Sequence, residues 1–146
     1  MFKHVLISTD GSPGSNKAAK GGISLAKALG AKVTAYYAIE SIPPIYSEDY
    51  VLDPKVIEGI EKRTHQEGQK YVDAIGKLAK SAGVPFASMV TKASTPYEGI
   101  INATKKRKCD VIFMASHGRH GLSKLIMGSV TQKVLTHCKT PVVVYR

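Results

Sequence analysis

Short apolar runs alternate with amphipathic stretches along the whole chain, which is the pattern of strands alternating with helices. The apolar or β-rich runs predict five strands, at residues 3–9, 32–38, 85–91, 110–114 and 141–145. The stretches between them predict four helices, at residues 15–29, 54–82, 96–106 and from about 130 to 137. The apolar run in DVIFM at 110–114 is unbroken, as expected of a central parallel strand buried on both faces.

Local signals support these elements and their grouping. An apolar stripe that includes Ile23 and Ala26 marks the first helix, with Ser15 as its candidate cap and Gly30 as its end. No linker, repeat or low-complexity segment interrupts the alternation. The sequence therefore predicts an α/β fold with one domain over residues 1–146, an open five-stranded parallel sheet and helices on both faces.

The segment from Ile39 to Tyr50 is predicted to be an irregular loop, because it contains Pro43 and Pro44 and is longer than a simple turn. Loops of this length in compact domains are more often functional than accidental. The sequence leaves open whether this loop closes over a ligand.

Composition indicates an ordinary globular protein. Hydrophobic residues make up 43% of the chain, and no apolar run approaches the roughly 20 residues that span a bilayer. The apolar stretch at the amino terminus is too short for a signal peptide, so we expect a cytoplasmic protein with no membrane partner. Cys109 and Cys138 lack CxxC spacing and co-ligands, so we expect reduced thiols and no metal site built on them.

The formal net charge of +10 raises the question of a polyanionic partner. Most lysines lie in predicted helices, and the run Lys105–Lys108 ends one of them, where cations complement the helix dipole. The sequence has no aromatic–basic interleaving and no recognition-helix or zinc-finger pattern. Charge alone gives a weak hypothesis, and we do not expect nucleic acid to be the partner.

Two strand-to-helix loops carry the candidate chemistry, because ligands of open α/β sheets bind beyond the carboxyl ends of the strands. The loop after the first strand contains Ser8, Thr9 and Asp10. An aspartate before glycine also commonly caps a turn or helix, so Asp10 has both a structural and a binding interpretation.

The loop after the fourth strand has the chemistry to bind phosphate. Gly118 and Gly128 allow backbone N–H groups to approach an anion closely. Gly128 and Ser129 precede a helix, where free amides and the positive end of the helix dipole favour negative charge. The candidate countercharges are His117, Arg119, His120 and Lys124, although glycines in such a loop can also serve only to make turns.

Familiar nucleotide and hydrolase motifs are absent from the sequence. The absence of GxxxxGK[ST] excludes a P-loop NTPase, and no GxGxxG follows the first strand, so we do not expect Rossmann-type dinucleotide binding. The absence of GxSxG removes the most obvious hydrolase interpretation.

The sequence resembles the universal stress protein family along essentially its full length. The resemblance is carried by VLISTDGS at 5–12, AYYAIES at 35–41, STPYEGI at 94–100 and the stretch SHGRHGLSKLIMGSVTQKVLTHCKTPVVVYR at 116–146. Nucleotide-binding members have the pattern glycine, two residues, glycine, nine residues, glycine, then serine or threonine. Gly118, Gly128 and Ser129 match the latter part of that pattern, whereas Ala115 stands at its first glycine.

The resemblance implies a Rossmann-like, adenine-nucleotide-binding sheet of strand order 3-2-1-4-5, which places the two loops side by side. It implies ATP with Mg²⁺, or a related adenine nucleotide, as the ligand, and a homodimer formed through the last strand, Pro141–Tyr145. Asp10 would bond the ribose or the adenine edge, and the backbone of Ala38 would meet the adenine. The full set of residues implied at the nucleotide is Ser8, Thr9, Asp10, Ala38, Met114, Ala115, His117, Gly118, Arg119, Gly128, Ser129, Val130 and Thr131.

Two positions depart from the family pattern. Ala115 adds a Cβ where phosphates or ribose would lie close to the backbone, which would weaken binding or shift the ligand. Ser8 stands at a position that is often apolar or proline in the family, next to the expected place of the adenine.

Efficient ATP hydrolysis needs a positioned metal, a water-orienting residue and charge stabilisation at the transferred phosphoryl group. Asp10 is the one clear carboxylate in the two loops, and no acid–base pair accompanies it. We therefore expect a stress-response sensor or regulator and not an enzyme, with slow hydrolysis left open. Two other interpretations remain: a dimeric interaction protein of the same family that holds no nucleotide, and a basic nucleic-acid-binding module.

Overall fold

The structure, a computed structural model, describes residues 1–42, 52–119 and 126–146. Strands and helices alternate, as predicted, and the ends of the elements lie within two residues of the predicted ones. In chain order they are β1 (His4–Ser8), α1 (Pro13–Leu29), β2 (Lys32–Glu40), α2 (Pro54–Ala82), β3 (Phe86–Ala93), α3 (Pro96–Arg107), β4 (Val111–Ala115), α4 (Ser129–His137) and β5 (Val142–Tyr145).

The five strands form one parallel sheet in the order β3-β2-β1-β4-β5, which confirms the predicted order. β1 lies at the centre, with Val5 opposite Val33 of β2 on one side and opposite Val111 of β4 on the other. β1 and β4 are neighbours, but α1 after β1 packs on one face of the sheet and α4 after β4 packs on the other. The loops after these two strands therefore meet at the carboxyl edge of the sheet.

Alternate side chains of the central strand enter two separate cores. Val5 and Ile7 pack with residues of α1 and α2, whereas Leu6 packs with Tyr36 and Ile100 on the face covered by α3 and α4. All three β1 side chains are fully buried, which explains why the central strands have apolar residues at consecutive positions instead of alternating ones.

α1 begins at Pro13 and is capped by Ser12, whose hydroxyl accepts a hydrogen bond from the Ser15 backbone N–H at 3.2 Å. The prediction that Ser15 is the cap is therefore wrong. Pro13 suits the first helical position, because its fixed φ matches the helix and its missing N–H is not needed there. At the other end Gly30 adopts a left-handed conformation with φ 62°.

β2 continues to Glu40, so the first residues of the loop predicted at 39–50 belong to the strand. The remainder of that prediction lies outside the described residues, because 43–51 are not among them. In the described ranges, no helix is long and apolar enough to cross a membrane.

Candidate functional site

A cavity of about 370 Å³ opens at the carboxyl edge of the sheet, where the loops after β1 and β4 meet. The structure brings all the residues predicted at the nucleotide to this one cavity; residues 120–125 of the second loop lie outside the described part of the chain. The predicted residues that line it are Ser8, Thr9, Asp10, Ala38, Met114, Ala115, His117, Gly118, Arg119, Gly128, Ser129, Val130 and Thr131.

The carboxylate of Asp10 joins the two loops. Its Oδ1 accepts the backbone N–H of Ser12 at 2.9 Å, and its Oδ2 accepts the backbone N–H of Arg119 at 2.9 Å. Asp10 therefore does cap a turn, as one of its two interpretations held. The bond to Arg119 spans 109 positions of sequence, so it fixes the second loop relative to the first.

The surroundings of Asp10 favour its charged form. Partial burial would raise the pKa of this carboxyl, but hydrogen bonds from Ser12, Ser15 and Arg119 outweigh the burial and lower the pKa below its ordinary value. Asp10 is thus a permanent anion near neutral pH, and it holds its loop-joining hydrogen bonds as charge-assisted ones.

The turn after β1 is shaped by Gly11 and by the ring of Tyr71 from α2. Gly11 has φ 78°, and a Cβ on it would lie 2.2 Å from the Tyr71 ring. Its N–H donates to Thr9 Oγ1 at 3.1 Å, and Thr9 Oγ1 in turn contacts Ser15 Oγ at 3.1 Å. Only glycine satisfies both the left-handed backbone and the close approach of the ring.

The second loop ends at the amino terminus of α4, which offers free backbone donors. Gly128 is the N-cap, and its own N–H bonds Ser116 O at 2.7 Å. The next three amides, of Ser129, Val130 and Thr131, have no hydrogen-bond acceptor within the described ranges. Amides in the first turn of a helix point along the helix axis, out of its amino-terminal end, and favour an anion there.

Gly118 and Gly128 both allow the backbone of the second loop to approach its neighbours closely. A Cβ on Gly118 would lie 2.4 Å from Asp10 Oδ2, and a Cβ on Gly128 would lie 3.1 Å from the carbonyl oxygen of Ser116. Both glycines therefore have a packing role in addition to any contact with a ligand.

His117 carries one unsatisfied nitrogen. Its Nδ1 is 2.9 Å from Ser116 Oγ, whereas its buried Nε2 has no partner among the residues the structure describes. A buried polar atom without a partner is uncommon, and a ligand or water at the cavity would satisfy it.

The side chain of Arg119 extends to α2. Its Nη2 donates to the Tyr71 hydroxyl at 2.8 Å, and that hydroxyl donates to Glu67 Oε1 at 2.9 Å. The guanidinium also lies 5.5 Å from the centre of the Tyr71 ring. Arg119 is thus a cation at the mouth of the cavity that is already engaged by a tyrosine, and this tyrosine in turn bonds a carboxylate.

Ala115, which replaces the first glycine of the family pattern, is accommodated by the core. Its side chain packs against the core cluster on the α1/α2 face of the sheet. Its carbonyl accepts the hydroxyl of Thr131 at 3.0 Å, which ties α4 to the end of β4. Part of the added methyl group is therefore taken up by packing, and the Thr131 hydroxyl is used within the protein.

The wall of the cavity toward α3 is apolar. Ala38 of β2, Ile100 of α3 and Met114 of β4 line it and belong to, or pack against, the core of the α3/α4 face. The buried Tyr36 completes this wall, with its hydroxyl 3.0 Å from Thr91 Oγ1. Such a wall accepts a flat, uncharged ring system.

Sequence reasoning missed several residues of the lining. They are Ser15, Tyr36, Tyr37, Glu40, Thr64, Pro96 and Ile100. Pro96 and Ile100 lie in the segment 94–100 that resembles the family, and this resemblance could have indicated that they belong to the cavity lining. Thr64 comes from the middle of α2 and approaches the cavity only through tertiary packing, so no local signal marks it.

The charged side chains of the lining do not by themselves attract an anion. Asp10 and Glu40 are carboxylates, and Arg119 is the cation that accompanies them. Any recognition of phosphate here must rest largely on backbone amides. The described ranges contain no group of three or more His, Cys, Asp or Glu side chains that could hold a metal ion.

Comparison with known proteins places the chain in a known group. The model of the "Universal stress protein family" matches residues 1–146. Universal stress protein MJ0531 of Methanocaldococcus jannaschii is 31% identical over 150 residues, which cover 100% of this chain and 83% of that protein. The universal stress protein in the QAH/OAS sulfhydrylase 3'region of Thermus aquaticus is 30% identical over the full length of both chains.

Solved structures share the fold. Protein MJ0577 of Methanocaldococcus jannaschii superposes with a TM-score of 0.80 at 23% identity, covering 99% of this chain and 95% of that one. A universal stress protein in complex with cAMP has a TM-score of 0.70 at 21% identity and covers 99% and 97%. The universal stress protein from Archaeoglobus fulgidus in complex with dAMP has a TM-score of 0.63 at 15% identity and covers 100% and 98%.

Proposed function

We propose that this chain, which belongs to the universal stress protein family, binds an adenine nucleotide in the cavity between the β1 and β4 loops. We further propose that it acts as a cytoplasmic, dimeric sensor or regulator in a stress response, with ATP and Mg²⁺ as the expected ligand. The observation that carries the proposal is the pairing of an apolar wall with a row of free amides at the start of α4.

The two ends of the cavity suit the two ends of a nucleotide. The base would lie against Ala38, Ile100 and Met114, whose side chains offer no charge. The phosphates would lie at the amides of Ser129 and Val130, in the positive field of the helix end. The backbone of Ala38 and the carboxylate of Asp10 remain the candidates for the adenine edge and the ribose.

The ligands of related structures support this class. One neighbour of the same fold is described with cAMP and another with dAMP, and both ligands are adenine nucleotides. ATP carries a triphosphate that neither of these ligands has, so the choice of ATP is a finer proposal than the choice of an adenine nucleotide.

A magnesium ion at this site would be held mainly by the phosphates, because Asp10 already uses both carboxylate oxygens within the protein. Ser129 supplies a hydroxyl next to the free amides. We propose binding without efficient hydrolysis, because the described lining pairs no general base with a water-orienting partner: His117 Nδ1 lies against Ser116.

The dimer is proposed to form through β5, which lies at the edge of the sheet. The carbonyl oxygens of Pro141 and Tyr145 accept hydrogen bonds from backbone N–H groups in β4 and directly after it. Because the main-chain groups of successive residues in a strand point to opposite sides, the N–H and C=O groups of Val142 and Val144 point away from β4. An edge strand with outward N–H and C=O groups is a template for pairing with a second copy.

The first test is calorimetric titration of Mg-ATP, cAMP and dAMP into nucleotide-stripped protein at near-physiological salt. Saturable binding at one site per chain supports the proposal. A silent titration with no competition up to millimolar ATP would leave the dimeric interaction protein as the better function, with Ala115 as the physical reason.

A variant locates the site. Gly128→Val would introduce a branched side chain 3.1 Å from Ser116 O and in front of the helix amides, so ATP binding should be lost while circular dichroism shows a folded protein. If Gly128→Val binds ATP as the wild type does, the phosphates lie elsewhere.

A further inference from the structure

The two edges of the sheet differ in charge. The carboxyl edge holds the cavity with Asp10 and Glu40, and the start of α3 adds a carboxylate, while the early part of α2 mixes carboxylates with cations such as Lys55 and Lys62. The amino edge instead collects exposed cations from every part of the chain. They are Lys3, Lys27, Lys32, Lys80, Lys105, Lys106, Arg107, Lys108 and Lys139, and we name this set the amino-edge face.

The topology explains why these cations lie together. In a parallel sheet with connecting helices, each helix ends at the edge where the next strand begins, so the last turns of α1, α2 and α3 all deliver their basic residues there. Main-chain contacts join the strand starts: Lys32 N bonds Lys3 O, and Asp110 N bonds His4 O, both at 3.0 Å.

Part of the face is a row. Lys32, Lys3, Lys108 and Lys139 each lie at or within three residues of the start of a strand, and those strands are β2, β1, β4 and β5. These four strands are consecutive neighbours in the sheet. At about 4.8 Å between strands, their starts form a line roughly 15 Å long.

The carboxylate at this edge, Asp110, offsets one of the nine positive charges and leaves the face strongly cationic. Asp110 Oδ2 accepts the Lys3 backbone N–H at 2.7 Å and Asp110 Oδ1 accepts the His4 backbone N–H at 3.0 Å. The ion pair found within the described part of the chain, between Lys92 and Glu61, joins the end of β3 to the first half of α2. Helix dipoles account for the cations in the last turns of the helices and for Lys108, the C-cap of α3. They do not account for Lys3, Lys32 and Lys139 at the strand starts.

His4 reports the field of the face. Its ring is buried, with Nε2 2.8 Å from Thr34 Oγ1. Burial is the largest cause that lowers the pKa of His4, and the positive charge of Lys32 lowers it further, whereas Asp110 and a backbone hydrogen bond with Arg107 act in the opposite direction. The nine exposed cations of the amino-edge face, against the carboxylate of Asp110, make this edge a region of positive potential.

We propose that the amino-edge face binds the phosphate backbone of a nucleic acid, at the opposite edge of the sheet from the cavity and independently of it. A row of cations along neighbouring strand starts matches a linear polyanion, whose phosphates repeat along one direction. A membrane surface would call for a band of exposed apolar side chains as well, and the described residues place two at this edge, Met1 and Leu135 in the last turn of α4. The sequence argued against nucleic acid because it lacks a recognition motif, but backbone binding needs none.

The test is fluorescence anisotropy with a fluorescein-labelled single-stranded RNA of about 20 nucleotides, at several salt concentrations. The face variant is Lys32→Gln with Lys106→Gln, and the matched control is Lys55→Gln with Lys62→Gln in the first half of α2; all four side chains are exposed. Both variants lower the net charge equally. We expect the face variant to weaken binding several-fold and to reduce the slope of log affinity against log salt by about 1.4, at roughly 0.7 per lost contact. The control should bind as the wild type does.

Further readouts separate the alternatives. RNA should raise the pKa of the His4 imidazole, followed by NMR, and Mg-ATP should not displace the RNA. Equal losses of RNA affinity in the two variants would mean that net charge alone acts. Displacement of the RNA by ATP would place the RNA in the cavity. Binding to phosphatidylserine vesicles without binding to RNA would identify a membrane surface as the partner. Each of these three results would overturn the proposal, whereas failure of ATP to bind anywhere would leave it intact and affect only the nucleotide function.

Discussion

Replacing Gly118 with alanine would place a methyl group 2.4 Å from Asp10 Oδ2, closer than real side chains come to any heavy atom. A Cβ does not come closer than 3.0 Å to another heavy atom, so the methyl group and the oxygen must separate by at least about 0.6 Å. The oxygen has little freedom to withdraw, because the same carboxylate accepts N–H groups from Ser12 and Arg119. We therefore expect Gly118→Ala to break the hydrogen bond between Asp10 and the Arg119 amide.

The size of the effect follows from the lost bond. Hydrogen bonds to charged groups contribute about 1.5 to 3 kcal/mol, and the lower value applies because Arg119 is exposed. About 1.5 kcal/mol corresponds to a roughly tenfold change in an equilibrium constant. Gly118→Ala should thus weaken Mg-ATP binding about tenfold, because the second loop is no longer fixed to the first.

The assay is calorimetric titration of Mg-ATP into four proteins: the wild type, Gly118→Ala, Asp10→Ala and the double variant. Asp10→Ala removes the oxygen with which the new methyl group clashes. If the reasoning is right, Gly118→Ala costs little affinity in the Asp10→Ala background, so the two changes are strongly non-additive.

The control is Gly59→Ala in α2, where an added Cβ has no heavy atom within 4 Å. It should leave ATP affinity unchanged and raise the free energy of unfolding by up to about 1 kcal/mol, because alanine favours a helix interior over glycine. Wild-type affinity in Gly118→Ala, or simple additivity in the double variant, would refute the account of Asp10 as the link between the loops.

Three further predictions rest on single features. Hydrogen bonds hold the pKa of Asp10 below its ordinary value, so its stabilising effect should be complete above about pH 4 and be lost as the pH falls through the lower pKa of the folded protein. Urea unfolding of the wild type and Asp10→Ala, from neutral to acid pH, should show their free energies of unfolding converging. A difference that stays constant with pH would contradict this. Burial raises the pKa of Cys109 to about 11, so iodoacetamide at mildly alkaline pH should alkylate Cys138 in the native protein and Cys109 only after unfolding; mass spectrometry that finds native Cys109 modified would count against the buried position. Val144→Pro removes an outward N–H of β5 without removing a hydrogen bond to β4, so light scattering should find monomers where the wild type forms dimers. The control Val144→Thr should stay dimeric. A dimeric proline variant would place the interface elsewhere.

The fold was predictable because its signals are local and repeated. Apolar strands, amphipathic helices and glycines at Gly30 and Gly83 recur in the same order as the structure has them. The cap of α1 was mispredicted because Ser12 and Ser15 are both good capping residues. The deciding factor is Pro13 between them, which fits the first helical position and leaves Ser12 as the residue outside the helix.

The site was predictable where it lies in the two loops and not where it depends on tertiary packing. Ser8 to Asp10 and the glycines of the second loop follow strand ends, so topology alone brings them together. Thr64, in contrast, reaches the cavity because α2 packs over β2, and the sequence near it resembles any exposed helix. The double use of Asp10, as turn cap and as link to Arg119, required coordinates because its partner is 109 positions away.

Because Tyr71 contacts both loops, the intrinsic fluorescence of the protein can be used to follow the site. The chain has seven tyrosines and no tryptophan, so its ultraviolet emission is tyrosine emission throughout. Tyr71 covers Gly11 of the first loop and bonds Arg119 of the second, and tyrosine emission responds to what its hydroxyl touches. A rearrangement of Arg119 can therefore be followed in real time without a dye, with Tyr71→Phe as the blank.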